Sequence, residues 1–369
     1  MAFTTDFSEL DFKTILDQEL IEVHFQPLFS IREKKIVGFE GLSRGIHPKS
    51  GRLIPPLPLL KMAKEADLTL ELDRLLRKKI LESFKQFCPD PHDLILSLNF
   101  ETSIIDKEIG SLQLIQLCRQ LNLDPSNIVI EILEAKVKSV DALAKFVRIH
   151  REHGFLIALD DVGKGHSNFD RIPIIQPDII KIDRSLVTNL HQDYYRQEIF
   201  KSLVQLSQKI GALALAEGVE TEEETLASLE LGADLLQGYY FSEPQEPSVD
   251  FTQLVTGILD PVADKFKKQM VEKLNIRKMQ HERYNLMIED LVGELSALEE
   301  KQLEGELPTA LVNHSIARGH LCAQRKGAPN HRHVLQDETE FPQGYLPHAP
   351  QGDGLFNQGL FLFLDGRGI

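Results

Sequence analysis

The sequence predicts an α/β fold, a modified TIM-type (β/α) barrel with an antiparallel first hairpin, followed by a long α-helix and a small C-terminal segment. Three observations predict this fold. Short apolar runs alternate with helical patterns from residue 20 to about 245, and only a turn separates the first two runs. The 369 residues are 42% hydrophobic and 26% charged, which is typical of a globular chain with more than one structural unit.

Eight apolar runs are interpreted as strands. Several of them are almost entirely apolar, as is typical of parallel strands that are buried on both faces. The first two are joined around the sequence IREKK, which predicts a hairpin. The first run is not followed by a Gly-rich turn, so the pattern disfavours a dinucleotide-binding fold. The eight runs are residues 22–30, 34–43, 93–99, 127–133, 155–161, 178–183, 212–218 and 234–241.

Five longer segments between these runs have the apolar spacing of helices. The last three end in glycine, which commonly terminates a helix. The five segments are residues 68–87, 109–122, 141–154, 194–211 and 222–232.

The chain changes character after Pro261. Residues 262–304 contain no proline and one glycine, and apolar residues recur at steps of mostly three or four, which predicts an amphipathic helix. The helix would either pack on its own barrel or serve as a connector or dimer helix, and a length of about 60 Å favours the connector. We therefore expect a barrel over residues 1–250, a connector helix over 251–304, and a small or incomplete sensor-like region over 305–369.

Charge and cysteine content restrict the partners and the compartment. The formal net charge is −15, which disfavours DNA as a partner. No apolar run is long enough to cross a bilayer and the first residues lack a signal-peptide pattern, so we expect no membrane insertion. The three cysteines, Cys88, Cys118 and Cys322, are odd in number and widely spaced, which predicts a cytoplasmic protein.

Polar residues follow or end most of the apolar runs. Since the C-terminal ends of barrel strands open onto one face, these side chains are expected to converge there. Each one alone is more often a helix cap or a solvated loop residue, but five clustered carboxylates would repel each other unless cations were bound. Hard oxygen ligands suit Mg²⁺, Mn²⁺ or Ca²⁺, and the adjacent Asp160 and Asp161 suit two ions that clamp a phosphodiester. The converging residues are Glu40, Asn99, Glu131, Asp160, Asp161, Lys181, Glu217 and Gln237.

At these residues the chain resembles the EAL-domain family, bacterial phosphodiesterases of cyclic di-GMP that fold as a modified β/α barrel. The motifs occur in family order over residues 20 to about 245. They are Gln26-Pro27, Glu40-Gly41-Leu42-Ser43-Arg44, Asn99, Glu131-Ile132-Leu133-Glu134, the segment from Asp160-Asp161 to Ser167-Asn168, Lys181-Ile182-Asp183, Ala216-Glu217-Gly218-Val219-Glu220-Thr221 and Gln237-Gly238-Tyr239-Tyr240.

The resemblance implies a role for each matching residue. The product would be linear pGpG, and the cofactor would be Mg²⁺ or Mn²⁺ bound in a two-ion site. Ca²⁺ would act as an inhibitor, and the protein would form a homodimer. Lys181 would hold the nucleophilic water and Glu217 would act as a base. Glu134 would anchor the loop after Asp161 and couple ligand binding to dimerisation. The implied metal ligands are Glu40, Asn99, Glu131, Asp160, Asp161 and Glu217, and the implied substrate contacts are Gln26, Leu42, Arg44 and Gln237.

The sequence also departs from the family pattern. Gly41 replaces the family's alanine, and the loop over 161–169 carries Val162, Lys164, His166 and Asn168 in place of the usual residues. Lys164 is interpreted as a solvated lysine, with a charge near phosphate as the alternative. Two functions remain open on this basis: an active phosphodiesterase, or a catalytically silent receptor that binds cyclic di-GMP and signals through the 262–304 helix.

Overall fold

A computed structural model describes residues 12–89, 93–133, 139–165, 171–251 and 255–296. The described residues belong to two units, one ending at Arg277 and the other beginning at Lys278. All nine described strands lie in the first unit. The expected C-terminal region over 305–369 falls outside the described residues, and the domain boundaries drawn from the sequence stay predictions.

The strands form one sheet that closes into a barrel. The order is β1-β9-β8-β7-β6-β5-β4-β2-β3, and an additional pairing of β1 with β2 closes eight of the nine strands into a ring. The two-residue β3 extends β2 outside that ring. The strands are β1 Ile21–Ser30, β2 Lys35–Ile46, β3 Leu53–Ile54, β4 Ile95–Phe100, β5 Ile128–Leu133, β6 Leu156–Val162, β7 Ile179–Ile182, β8 Leu213–Ala216 and β9 Leu235–Leu236.

The first strand runs against the other seven strands of the ring. It pairs antiparallel with both β2 and β9, whereas every pairing from β2–β4 through β8–β9 is parallel. The predicted antiparallel hairpin and the eight predicted strands are therefore confirmed. The hairpin turn includes Lys34 at a φ of 52°, a left-handed conformation that lets the chain reverse within four residues.

Helices cover the outside of the barrel, and the five helices expected between the strands are all present. The structure adds short helices that have no clear sequence pattern. The helices are α1 Phe12–Asp17, α2 Pro56–Glu65, α3 Thr69–Phe87, α4 Ile105–Glu108, α5 Gln113–Gln120, α6 Val140–Glu152, α7 Ile172–Ile175, α8 Arg184–Val187, α9 Tyr194–Ile210, α10 Glu222–Glu230 and α11 Asp260–Ser296, with 3₁₀ turns at Thr102–Ile104 and Pro125–Asn127 and a π-helical turn at Val255–Leu259.

An apolar layer fills the interior of the barrel below its C-terminal rim. Six of the barrel strands contribute one buried side chain each to this layer, and they pack together as one cluster. Because successive side chains of a strand point to opposite faces, the residue two positions later along a parallel strand also points inward, one level nearer the rim. The layer consists of Leu28, Val129, Ala158, Ile179, Leu215 and Leu235.

The long helix predicted after Pro261 is confirmed as α11, which has 37 residues and a length of about 55 Å. Its first turns pack on the barrel: Val262 is buried, and Phe266 contacts the main core. Lys273 forms an ion pair with Glu230 of α10. Farther along, apolar side chains are exposed, and Leu274 is 57% accessible. The helix thus combines barrel packing at its start with an exposed later portion.

Candidate active site

The polar side chains expected at the strand ends come together in the barrel interior. Five of them stand two positions after a residue of the apolar layer, so the alternation of the strands places them on the inner face directly above it. These five are Glu131, Asp160, Lys181, Glu217 and Gln237, which follow Val129, Ala158, Ile179, Leu215 and Leu235. Gln26, Glu40 and Asn99 join them from β1, β2 and β4, and Gln26 is the register partner of Glu40.

Lys181 lies at the centre of this group and is only 2% exposed. Its Nζ is 2.7 Å from Glu131 Oε1 and 2.7 Å from Glu217 Oε1. The same nitrogen is 3.5 Å from Glu40 Oε2 and 3.5 Å from Asp160 Oδ1. One ammonium therefore faces four carboxylates, and a negative excess remains if all four are ionised.

Glu40 accepts hydrogen bonds from two amide side chains, and a third amide supports one of them. Asn99 Nδ2 donates to Glu40 Oε1 at 2.8 Å, and Gln237 Nε2 donates to Glu40 Oε2 at 2.7 Å. Gln237 Nε2 also lies 3.1 Å from Gln26 Oε1, and Gln26 Nε2 donates to the Ser242 carbonyl oxygen at 3.0 Å. These hydrogen bonds fix the orientation of the Glu40 carboxylate and link β2 to β1, to β4 and to the segment after β9.

Burial and mutual repulsion shift the ionisation of the group. Burial and the charge of Glu40 raise the pKa of Glu131 well above its ordinary range, despite the opposing charge of Lys181. Burial likewise raises the pKa of Glu217 to about 8, with Lys181 opposing and Asp160 adding to the shift. Although burial acts the other way, the surrounding carboxylates raise the pKa of Lys181 well above its usual value. Lys181 is thus a fully charged ammonium at neutral pH.

Asp161 lies at the edge of the group, where β6 is irregular. The pairing of β6 with β7 shifts register between Leu159 and Val162, and Asp161 has a φ of 58°, an uncommon conformation for a non-glycine residue. Possible ligand atoms of Asp160, Asp161 and Glu217 all lie within 4.8 Å of one another. This irregularity thus brings two consecutive carboxylates close to Glu217. The expected loop anchor Glu134 lies outside the described residues, as do His166 and Asn168.

The donor set fits hard divalent cations. Carboxylate and amide oxygens are the ligands that Mg²⁺, Mn²⁺ and Ca²⁺ prefer. Neither oxygen of Glu131 has a hydrogen-bond donor in good geometry among the described residues, although Oε1 is close to the Lys181 ammonium. A buried carboxylate with unused lone pairs beside three further carboxylates is a group that a cation would stabilise.

Two cavities border the group. The larger one, of about 520 Å³, is lined mainly by apolar side chains and reaches Leu42, Asn99, Asp161 and Lys164. The smaller one, of about 260 Å³, is lined by residues that include Gln26, Glu40, Glu217, Gln237 and Tyr239. Both cavities thus provide space for a ligand next to the carboxylates.

The remaining predicted substrate contacts lie on β2 beyond Glu40. Leu42 lines the larger cavity, and Arg44 is half-buried, with Nη1 3.3 Å from the Ser43 carbonyl oxygen. Because they follow Glu40 by two and four positions, both side chains share its face of the strand.

Two features of the cavity wall were not predicted from the sequence. Asp73 and Arg77 form a buried ion pair on α3, with Arg77 Nη2 2.7 Å from Asp73 Oδ2, and Asp73 Oδ1 accepts the Glu101 backbone N–H at 3.2 Å. Their four-residue spacing on an amphipathic helix was the available signal. Gly41 is also packed closely, since a Cβ there would lie 2.2 Å from Ile80 Cγ2.

Comparison with known proteins places this geometry in a family. The EAL domain family model matches residues 11–244. Cyclic di-GMP phosphodiesterase PdeL of Escherichia coli is 31% identical over 227 residues, and the match covers 59% of this chain and 61% of PdeL, so the chain spans about three fifths of that relative's length.

Solved structures agree with this match. Bacillus subtilis YkuI, an EAL-domain protein in complex with cyclic di-GMP and calcium, matches the fold at a TM-score of 0.71, with 24% identity and coverage of 82% of this chain and 76% of YkuI. Klebsiella pneumoniae BlrP1, solved with manganese and cyclic di-GMP, matches at a TM-score of 0.55, with 26% identity and coverage of 62% and 57%. The chain, with its closed mixed barrel and its acidic rim, therefore belongs to the EAL domain family.

Proposed function

We propose that this protein is a metal-dependent phosphodiesterase that hydrolyses one phosphodiester of cyclic di-GMP to give linear pGpG. The observation that carries the proposal is the cluster of carboxylates around the buried Lys181 at the rim of an EAL-family barrel. The relatives' binding of cyclic di-GMP with calcium or manganese supports the same ligand and the same class of cation.

The proposed metal ligands are the six residues expected from the family resemblance. When bound, Mg²⁺ or Mn²⁺ would supply Lewis-acid stabilisation of negative charge on the phosphate oxygens. Calcium, which prefers a looser and larger coordination shell, is expected to inhibit. The six residues are Glu40, Asn99, Glu131, Asp160, Asp161 and Glu217.

Lys181 and Glu217 are proposed to handle the water. Their contact of 2.7 Å places an ammonium donor beside a carboxyl group, so that one can orient a water molecule while the other receives its proton. Burial raises the pKa of Glu217 to about 8, and a bound cation would favour the ionised form that accepts a proton. Gln26, Leu42, Arg44 and Gln237 are proposed to contact the dinucleotide, since three of them line the two cavities and Arg44 follows on the same strand face. Glu134 is proposed to anchor the loop.

A second candidate function is a receptor that binds cyclic di-GMP with little or no turnover. It is favoured by the loop after Asp161, where Lys164 Nζ lies 3.1 Å from both carboxylate oxygens of Asp161. A carboxylate that is already neutralised is a weaker metal ligand. In this case the exposed portion of α11 would transmit the bound state.

Compartment and assembly complete the proposal. No helix among the described residues is both long and apolar enough to cross a membrane. A cytoplasmic location is proposed on the basis of the second messenger and of Cys118, which is a buried free thiol.

A homodimer is proposed because apolar side chains of α11, such as Leu274 and Met279, are exposed. Light scattering on the full chain would give a mass near 84 kDa, twice the 41.9 kDa chain, if this is correct.

A time course of cyclic di-GMP with the 369-residue chain tests the activity. Parallel reactions contain Mg²⁺, Mn²⁺, Ca²⁺ or a chelator, and pGpG is resolved from the substrate by chromatography. We expect pGpG to accumulate with Mg²⁺ or Mn²⁺ and not with Ca²⁺ or chelator. Unchanged substrate that remains bound to the protein would reject the enzyme and support the receptor.

A further inference from the structure

Lys164 occupies a specific place beside the second of the two consecutive aspartates. Its Nζ lies 3.1 Å from Asp161 Oδ1 and 3.1 Å from Asp161 Oδ2, so the ammonium straddles the carboxylate. It also lies 3.8 Å from Asp183 Oδ2. The contact is thus made to both oxygens that Asp161 would offer to a metal ion.

The backbone holds this lysine in place. Asp161 and Gly163 both have positive φ, of 58° and 100°, and the Lys164 N–H donates to the Asp161 carbonyl oxygen at 3.2 Å. A Cβ at Gly163 would lie 2.3 Å from Leu186 Cδ1, so this turn is packed closely against α8. The tight turn returns residue 164 over residue 161 within three positions, which keeps the two charges together without the entropy loss of ordering a distant side chain.

Asp161 is also the member of the acidic group that distinguishes a second metal position from the first. Its ligand atoms lie within 4.8 Å of those of Asp160 and Glu217, and this group does not include Glu40 or Glu131. Lys181 contacts Glu40, Glu131, Asp160 and Glu217, but the ion pairs of the described residues give it no contact with Asp161. The positive charge of Lys164, which lies on the Asp161 carboxylate, therefore opposes a cation bound by Asp161 more strongly than a cation bound by Glu40 and Glu131.

We propose that Lys164 acts as a built-in counterion of Asp161 that selectively weakens the second of two divalent metal ions, so that this protein binds one ion tightly and the other more weakly. The inference rests on the proposed function, because it assumes that the acidic group binds divalent cations. Lys164 does not contact the reacting atoms in this account; it sets the affinity of the site through Asp161.

The expected effect is moderate. The Lys164 side chain is 61% exposed, so solvent and salt screen its charge. A divalent ion held by Asp161 would still be close to the ammonium, because Lys164 Nζ is 3.1 Å from both carboxylate oxygens. We expect Lys164 to weaken the second ion by about tenfold at low ionic strength, and by less at high salt.

Manganese binding to the 369-residue chain tests this inference without relying on catalysis. Electron paramagnetic resonance of free Mn²⁺ gives both dissociation constants for the wild type, Lys164→Ala, Lys164→Arg and the control Lys145→Ala, which removes an exposed charge from α6. We expect Lys164→Ala to tighten the weaker site about tenfold and to change the tighter site less than twofold. Lys164→Arg and Lys145→Ala should match the wild type. Adding Asp161→Asn to Lys164→Ala should remove the gain.

The inference is overturned if Lys164→Ala leaves the weaker site unchanged, or if it tightens both sites equally. Absence of Mn²⁺ binding to both the wild type and Lys164→Ala would overturn this inference and the proposed metal dependence together. If the metal affinities behave as expected but cyclic di-GMP is never hydrolysed, the proposed activity fails while the role of Lys164 stands.

Discussion

Lys181 and Glu131 face each other inside the barrel, with Nζ and Oε1 2.7 Å apart and side chains that are 2% and 0% exposed. An ion pair removed from water to this degree gives little net stability, because the desolvation of two charges offsets their attraction. Three more carboxylates share the same ammonium. A barrel selected for stability alone would place apolar side chains here, so the arrangement indicates a site whose chemistry outweighs its cost in folding.

Lys181→Met should abolish turnover while leaving the barrel folded. The substitution removes the only ammonium in contact with the four carboxylates among the described residues, and the loss of one positioned donor at a reacting centre commonly reduces kcat by about 100-fold or more. The measurement is the initial rate of pGpG formation, together with far-ultraviolet circular dichroism. Lys201→Met, on the exposed face of α9, is the control and should keep the wild-type rate. A Lys181→Met rate within threefold of wild type would contradict the assignment.

Glu131→Gln should separate metal binding from stability. Since burial and neighbouring charges raise the pKa of Glu131, its ionised form destabilises the metal-free fold, and a neutral amide should not lower Tm at pH 8. The same change should remove the rise in Tm that Mn²⁺ causes in the wild type. Differential scanning calorimetry with and without Mn²⁺ makes both comparisons.

The matched control is another buried glutamate, Glu108. Its neighbours are arginines, whereas those of Glu131 include other carboxylates. Arg74 Nε lies 2.6 Å from Glu108 Oε1, and Arg77 Nη2 lies 3.7 Å from it. Glu108→Gln should lower Tm, because it removes the carboxylate that Arg74 contacts at 2.6 Å, but it should preserve the Mn²⁺-induced rise. The opposite pattern for the two variants would show that Glu131 is a structural residue.

Gly41→Ala should destabilise the barrel, although alanine is the usual residue of the family at this position. The added Cβ would lie 2.2 Å from Ile80 Cγ2, and Ile80 is buried on α3. Overpacking of this kind costs about 1–3 kcal/mol. Ile80→Ala alone should also destabilise, by about 2–4 kcal/mol. In the double variant the alanine at 41 should cost nothing further, and additive losses in urea unfolding would show that the two positions are independent.

His150 should make the protein sensitive to mild acid. His150 lies on α6, and its ring packs against the rings of Phe146 and Phe155. Burial lowers the pKa of this histidine, so the folded state keeps it neutral, whereas the unfolded chain takes up a proton below about pH 6.5. Stability is therefore lost as the pH falls, by at most about 1.4 kcal/mol per pH unit. His150→Phe should flatten the free energy of unfolding between pH 6.5 and 5, whereas the exposed His281→Gln should not. Parallel pH profiles for wild type and His150→Phe would reject this account.

The strands and the acidic group could be predicted because both depend on simple periodicity. Val129 and Glu131, or Ile179 and Lys181, are two positions apart, so any inward-facing strand must place the second residue above the first. Closure of parallel strands then gathers the strand ends at one rim. These consequences need no knowledge of side-chain packing. The antiparallel hairpin could be predicted from the short IREKK connection, which has no room for a helix.

Other features depend on contacts that no local pattern contains. The short helices α7 and α8 have four residues each, too few to be stable without their tertiary neighbours. The place of Lys164 depends on the left-handed backbone of Asp161, so this lysine, which is 61% exposed as the sequence predicts for a solvated residue, also contacts a carboxylate. The need for glycine at position 41 likewise depends on the side chain of α3 that lies opposite, which is Ile80.

Hydrolysis in ¹⁸O-labelled water tests the central claim most directly. The 369-residue chain is incubated with cyclic di-GMP and Mn²⁺, and the masses of the nucleotides are measured by mass spectrometry. The account predicts linear pGpG that carries one ¹⁸O on its terminal phosphate, because a water oriented by Lys181 attacks the phosphorus. Cyclic di-GMP recovered intact and unlabelled, from a protein shown by calorimetry to bind it, would contradict the account and leave a receptor.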